Sequence, residues 1–484
     1  LEDAATLSSN SPVSFGSLNL NDKVLTLGSA TTQLNITDAN TALALSGITL
    51  ETGDGSLTLS GALTMSNGAE LNSSGGTITL NSGGSLASGS TLSLPDSTLV
   101  LQNALAISAS TLKTKNTTLT TNGKALSLSA GILEVEGVQD LSGVSTDGTG
   151  TLRLIANTSL NDNAALSVGT LDLADFALTL DDAMAGLYVT QAVTLDAATE
   201  QIISGDADLS LNGGISVTAG TLSSTGGTLS LPGGATLVSG STFTTSNTTL
   251  NLGGSLDVAD TWTSTDTSIV LTDEASLSST APASLATLTT NGYNFELGSD
   301  TTELTLANAF ALSSGTLSTQ GGDLIFADSA DISSGATLDA TVLTGTGGKL
   351  EFQQGGTSAG TINASNATFK IGSAYTVSGT IKTNSGTTWE LGTANLPVNL
   401  DLSGGTLELG GNVALDNILT NNQPKFKLDT EDATVTRNAG FTLGGVDFTD
   451  YTFTLGTEDT DLTLELSAAT GDSPVGTLAT QAAD

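Results

Sequence analysis

The chain of 484 residues contains no cysteine and no histidine. Their absence excludes disulfides, thiolate and imidazole metal ligands, and any Cys–His or Ser–His nucleophile. Bases are nearly missing too: 11 Lys and Arg stand against 49 Asp and Glu, for a formal charge of −38. Acidic residues occur at an ordinary frequency, so the pI of 4.1 reflects missing bases. So few cations cannot neutralise a nucleic-acid backbone or hold anionic lipid through a polybasic patch. There are 2 Met, 2 Trp, 4 Tyr and 7 Pro. No apolar run reaches the ~18 residues of a spanning helix, so no membrane insertion is expected. The chain starts at Leu1 without a signal-peptide pattern, which reads as a processed chain or a piece of a longer one.

What is present is Gly, Ser, Thr, Leu and Asn. With 38% hydrophobic residues and a positive mean hydropathy, the chain can bury surface, which argues against disorder. Short pieces such as GTLSL, NTTLNL and STLSL recur, closed by Gly, Asn, Asp or Ser. They form a longer period near 20: Leu57/Leu59, Ile78/Leu80, Leu99/Leu101 and Leu119 keep step, as do Leu229/Leu231, Leu250/Leu252 and Ile269/Leu271. Later, Leu350/Phe352, Phe369/Ile371, Trp389/Leu391 and Leu407/Leu409 do the same.

Each piece alternates apolar and polar, as a strand with one buried face does. Helix is disfavoured by the Gly, Ser, Thr and Asn content. A multi-domain sandwich would space strands similarly without repeating residues at a fixed longer period. The expected fold is therefore all-β: a right-handed parallel β-helix (β-solenoid) of about 20 residues per coil, with three short strands per coil. Corners such as Asn122-Gly123 supply residues that tolerate φ > 0.

This period predicts solenoid over 1–182, an irregular coil or short helix over 183–205 where Gly is scarce, and solenoid again over 206–424. Over 425–484 the aromatics Phe426, Phe441, Phe448, Tyr451 and Phe453 and the bases Lys425, Lys427 and Arg437 accumulate. That composition predicts an end cap, or a docking module for another subunit, with a flexible tail.

Carboxylate clusters are the only acid–base chemistry left: Asp181-Asp182, Asp206/Asp208, Asp273-Glu274, Glu431-Asp432 and Glu458-Asp459/Asp461. Polysaccharide lyases also need Arg or Lys, and hydrolases need aromatic platforms, whereas here the bases are isolated and aromatics scarce. Solvated turns account for these acids, so no enzyme is expected. Calcium is the natural hard-cation partner, with Asp447, Asp450, Glu458, Asp459 and Asp461 as candidate ligands. No EF-hand loop or calcium β-roll repeat is present, and diffuse binding along the chain is the competing account. No other cofactor is expected. Outward Thr residues (Thr91, Thr98, Thr111, Thr118) could match ice, but β-branched Thr favours strands anyway. Gly345–Lys349 suggests a phosphate loop, but Leu350 stands where Ser or Thr is required.

The GTLxL, GATLxSGSTF and NTTLxLGG pieces resemble the passenger regions of bacterial autotransporters and filamentous-haemagglutinin-like surface proteins. The resemblance is periodic and compositional and covers nearly the whole chain. It implies export to the bacterial cell surface and a structural role as stalk, fibre or adhesin. Its partners would be cell-surface or glycan ligands, or other copies of the chain meeting end to end or laterally. A departure is the lack of a C-terminal membrane barrel with a terminal aromatic. A self-assembling filament, sheath or surface-layer protomer is the alternative, and a carbohydrate-active β-helix enzyme a lesser one.

Overall fold

In the computed structural model the chain is all-β, with no helix among the described residues. The structure describes residues 1–391 apart from 142–143, 162–163, 183, 260–261, 342–346, 374 and 384–386. Farther on it describes the strand segments 400–401, 406–414, 418–419, 425–436, 441–443, 445–447, 452–455, 464–466 and 477–480. Beyond residue 387, side chains are described only at 406, 407 and 452. Two compact units are formed: Leu1–Gly233 with Gly240–Thr244, and Gly234–Ser239 with Thr245–Asp484.

In the first unit three strands make each coil. Thr49–Gly53, Ser56–Leu59 and Leu63–Ser66 are followed by Glu70–Ser73, Thr77–Leu80 and Gly84–Leu86. Each strand pairs in parallel with the strand one coil away, about 21 residues on. The pairing stacks like on like: Leu50, Leu71, Leu92 and Leu112 form one inward column. Leu57, Ile78, Leu99 and Leu119 form a second. Except for half-buried Leu119, these side chains are buried. Each fully buried Leu contributes roughly 1.5–3 kcal/mol of transfer free energy. Any one-residue slip would turn the column outward, so the alternation itself fixes the register.

Coil size is set by the corners. Asn122 and Gly123 take φ of 52° and 72°, the paired left-handed conformation that Asn-Gly adopts at low cost. At Gly76 the constraint is space, since a Cβ there would lie 1.9 Å from the Gly55 carbonyl oxygen of the preceding coil.

Among the described residues of 183–205, where an irregular coil or short helix is expected, there are three strands. Gly186–Val189, Val193–Leu195 and Gln201–Ile203 are strands, and Leu187, Val189, Val193, Leu195 and Ile202 are all buried. Period-2 burial outweighs the local lack of Gly. Just before it, two strands are unusually long, Ile132–Asp140 and Thr151–Asn161, with a register shift between Val135 and Gly137. Thr151–Asn161 serves two neighbours: Thr151 to Arg153 pair with Thr170–Asp172, and Thr158 to Leu160 with Leu178 to Leu180.

The second unit repeats the three-strand coil, as in Thr316–Ser318, Asp323–Phe326 and Ala330–Ile332. Its core is more aromatic. Phe310, Phe326 and Phe352 stack at centroid distances of 5.2 and 5.0 Å, and Tyr375 lies 4.6 Å from Phe352. The ladder runs on past residue 425, where composition predicts a cap. Lys425–Thr436, Thr452–Leu455 and Thr477–Thr480 pair in parallel with one another and with Thr406–Ala414. Phe426 registers opposite Leu407 and Phe453 opposite Ala433, so these aromatics occupy ladder positions in further coils.

Above the coil period lies a longer repeat. Segments 5–36 and 275–306 share Ala5/Ala275, Leu7/Leu277, Ser8/Ser278, Ser9/Ser279, Pro12/Pro282, Ser14/Ser284, Asn21/Asn291, Gly28/Gly298, Ser29/Ser299 and Thr32/Thr302. Their hydrogen bonds repeat as well. Ser9 N–H donates to Thr32 Oγ1 at 3.1 Å, and Ser279 N–H to Thr302 Oγ1 at 3.1 Å. Ser9 Oγ–H donates to the Ser11 carbonyl at 2.6 Å, and Ser279 Oγ–H to that of Ala281 at 2.6 Å. Asn21 and Asn291 share left-handed φ values of 47° and 52°. Segments 163–180 and 438–455 match again, through Asn163/Asn438, Ala164/Ala439, Gly169/Gly444, Asp172/Asp447, Asp175/Asp450 and Leu180/Leu455. The long strands recur between them, since Thr406–Ala414 and Lys425–Thr436 carry the same kind of register shift, between Leu409 and Gly411. Each unit therefore holds one copy of the same strand programme.

Candidate functional site

The chemistry available is that of carboxylates and a few amines, and the solenoid decides which of them meet. Of the calcium candidates, Asp447 lies on the strand Gly445–Asp447, whereas Asp450, Glu458, Asp459 and Asp461 fall outside the described residues. Glu431 and Asp432 lie on the strand Lys425–Thr436. Asp181, Asp182, Asp206, Asp273 and Glu274 are exposed at corners, as solvated turn residues would be. Asp208 opens a strand and accepts the Thr228 N–H at 2.8 Å.

One acidic group is assembled that the sequence did not announce. The carboxylates of Asp175, Asp196 and Glu200 lie within 4.8 Å of one another, with Glu200 buried and the other two exposed. Asp175 and Asp196 sit on corners of successive coils, which is why residues distant in sequence meet. These oxygens are a donor set that a hard cation could use. Glu200 already has a structural task. Its Oε2 accepts the N–H groups of Asp196 and Ala197 at 2.6 and 3.2 Å, and its Oε1 that of Asp175 at 3.4 Å. A buried carboxylate that ties two corners through backbone donors accounts for the cluster without an ion. The second copy keeps Asp450 in the place of Asp175 but has Gly476 two residues before Leu478, where Glu200 precedes Ile202.

The bases, isolated along the sequence, are gathered by the coil period. On one outward column Lys113, Glu134, Arg153 and Asp172 are successive register partners. Lys113 Nζ lies 3.3 Å from Glu134, Arg153 Nη1 3.6 Å from Glu134, and Arg153 Nε 2.7 Å from Asp172. The hydrogen bond to Asp172, with the charges of both carboxylates, raises the Arg153 pKa further. In the second copy the partners in order are Lys382, Glu408, Lys427 and Asp447. The sign pattern is the same, residue for residue. The calcium candidate Asp447 thus holds the last register position of this series.

A second, separate triad joins Lys349, Glu351 and Lys370, with both ammonium groups 3.1 Å from Glu351. Burial pushes the Glu351 carboxyl up, but hydrogen bonds from the two lysines prevail and hold it below the usual carboxylate value. Lys349 opens a strand beside Glu351, so the phosphate-loop lookalike has its lysine committed to an ion pair. A shallow polar hollow of about 250 Å3 is bordered by Glu274, Asn294 and Glu296, with Asn294 Nδ2 donating to Glu274 at 3.2 Å. Trp262 is a core residue whose Nε1–H donates to Thr245 Oγ1 at 3.0 Å. The chain matches no protein-family model, no curated protein and no solved structure.

Proposed function

We propose that this chain is a non-enzymatic, exported structural protein of the bacterial cell surface, serving as a stalk, fibre or adhesin. The observation that carries the reading is the use made of its charges. Among the described residues Lys113, Lys115, Arg153 and Lys370 pair with carboxylates of the neighbouring coil, and the buried Glu200 braces two corners. These charged groups hold coil to coil. The resemblance to passenger and stalk regions points the same way, and calcium is proposed as a diffuse counterion for the acidic surface.

The test is a turnover assay of the full chain against neutral and acidic glycans, in parallel with binding to the same panel. The expected result is binding or no interaction, without product release. Release of cleaved glycan that disappears in the Asp175→Asn/Asp196→Asn variant would replace this reading with a carbohydrate-active enzyme.

A further inference from the structure

Half of one long strand in the first unit is built inside out. In Ile132–Asp140, the stretch beyond the register shift, Gly137 to Asp140, pairs with Thr158 to Asn161. Alternation along that ladder sends Gln139 inward, opposite buried Leu160, and Val138 outward, opposite Ser159. Gln139 is 0% exposed and Val138 74%. An amide occupies the core column and an apolar side chain faces water, the reverse of what a half-buried strand places there. The second copy has the ordinary arrangement. There Gly411 to Ala414 pairs with Ala433 to Thr436 beyond the same kind of shift, and Asn412 and Val413 hold the positions of Val138 and Gln139. The same ladder position accepts Val, so the coil does not require Gln139.

The inward amide is only half satisfied. Gln139 Nε2–H donates to the Glu136 carbonyl at 2.8 Å, whereas Oε1 is buried without a partner. Of the four buried side-chain atoms without a partner among the described residues, a second, Thr146 Oγ1, lies in the same coil. Backbone pairing is one-sided as well. Ile132 to Val135 pairs on one side with Thr111 to Thr114 and on the other with Thr151 to Leu154. The ladder to the preceding coil stops at Glu136, and Thr118–Thr120 of that coil ends its own sheet.

We propose that Gly137 to Asp140 is a local opening segment, which detaches from Thr158 to Asn161 and recloses while the rest of its coil stays folded, with Gln139 setting how often. Closed, the amide oxygen has lost water without gaining a donor; open, water restores it. Detachment breaks one ladder where an interior strand would break two. Val138 is already in solvent and gives up little burial. All three effects lower the cost of opening below that of neighbouring strands. Ile132 to Val135 stays in place, held by two ladders and by buried Leu133 and Val135. The hinge is the bulge itself, where Glu136 lies between the paired Val135 and Gly137 and Gly137 takes a left-handed φ of 72°. The inference needs the ladder geometry and not the cell-surface reading, so either can fail alone.

The test is native-state hydrogen–deuterium exchange of the full chain, read by peptide mass spectrometry, with the second copy as internal reference. Peptides spanning 137–140 should exchange at least about tenfold faster than those spanning 411–414, as an unpaired buried amide oxygen implies. Gln139→Val should slow exchange at 137–140 by a similar factor, with an unchanged far-UV spectrum. The reciprocal Val413→Gln should speed exchange at 411–414. Equal exchange of the two segments in the parent overturns the proposal. So does a Gln139→Val chain that exchanges like the parent, which would mean that a buried water satisfies Oε1. Exchange at 137–140 that occurs only together with 132–135 overturns it too, because the coil would then open as one piece.

Discussion

Glu200 shows how one buried carboxylate can hold two coils. Replacing it with Ala leaves the Asp196 and Ala197 N–H groups without an acceptor, at a cost of about 1–3 kcal/mol. The midpoint of urea unfolding should fall accordingly, and an unchanged midpoint would count against the bracing role. Glu351 carries a pH signature. Its folded pKa lies below the ordinary 4.5, so its stabilising contribution is complete above that value and is lost as pH falls through the folded one. Glu351→Gln should lower stability by about 1 kcal/mol at neutral pH. The difference from the parent should vanish in acid, when chemical unfolding is followed at several pH values. The inward leucines are simpler. Leu99→Ala opens a cavity beneath Ile78 and Leu119 of its column and should cost about 3 kcal/mol.

At the level of strands and coils, much was legible from the sequence, because a strand reports its buried face every second residue and a coil repeats its inward Leu at nearly constant spacing. Leu57, Ile78 and Leu99 stand in one column by their spacing alone. Segment 183–205 was ambiguous because Gly scarcity and alternation pointed in different directions, and alternation governs when neighbours supply a ladder. The meeting of Asp175, Asp196 and Glu200 was hidden, since Asp is commonplace in turns. The available signal was Asp175 and Asp196 lying one coil apart. The larger repeat was masked by the smaller one, as every coil resembles every other. The rare residues could have revealed it, because Lys113, Glu134, Arg153 and Asp172 have counterparts in order in Lys382, Glu408, Lys427 and Asp447. That equivalence is testable. Arg153→Glu and Lys427→Glu each place an acid between two acids. Both should destabilise the chain by a similar amount, of order 1 kcal/mol. A large loss at one and none at the other, measured by denaturant unfolding, would show that the second ladder does not form.

For the molecule as a whole, −38 charges are a standing internal repulsion. Raising salt from about 0.01 M to about 0.15 M shortens the Debye length from about 30 Å to about 8 Å. The unfolding temperature should therefore rise over that range, and a decrease would mean that the ion-pair ladders outweigh the net charge. A chain of stacked coils in which each touches its neighbours should also unfold over a broad denaturant range.

The duplicated strand programme has a kinetic consequence. Segments 5–36 and 275–306 offer nearly interchangeable strands, so during refolding from denaturant each competes for the other's neighbours. Folding in order, as the chain emerges from a ribosome or an export channel, removes the competition, because one copy can fold before the other arrives. Refolding of the full-length chain should accordingly leave a fraction trapped in exchanged pairings that vectorial synthesis avoids. The order of synthesis thereby supplies information that two similar copies cannot provide for themselves.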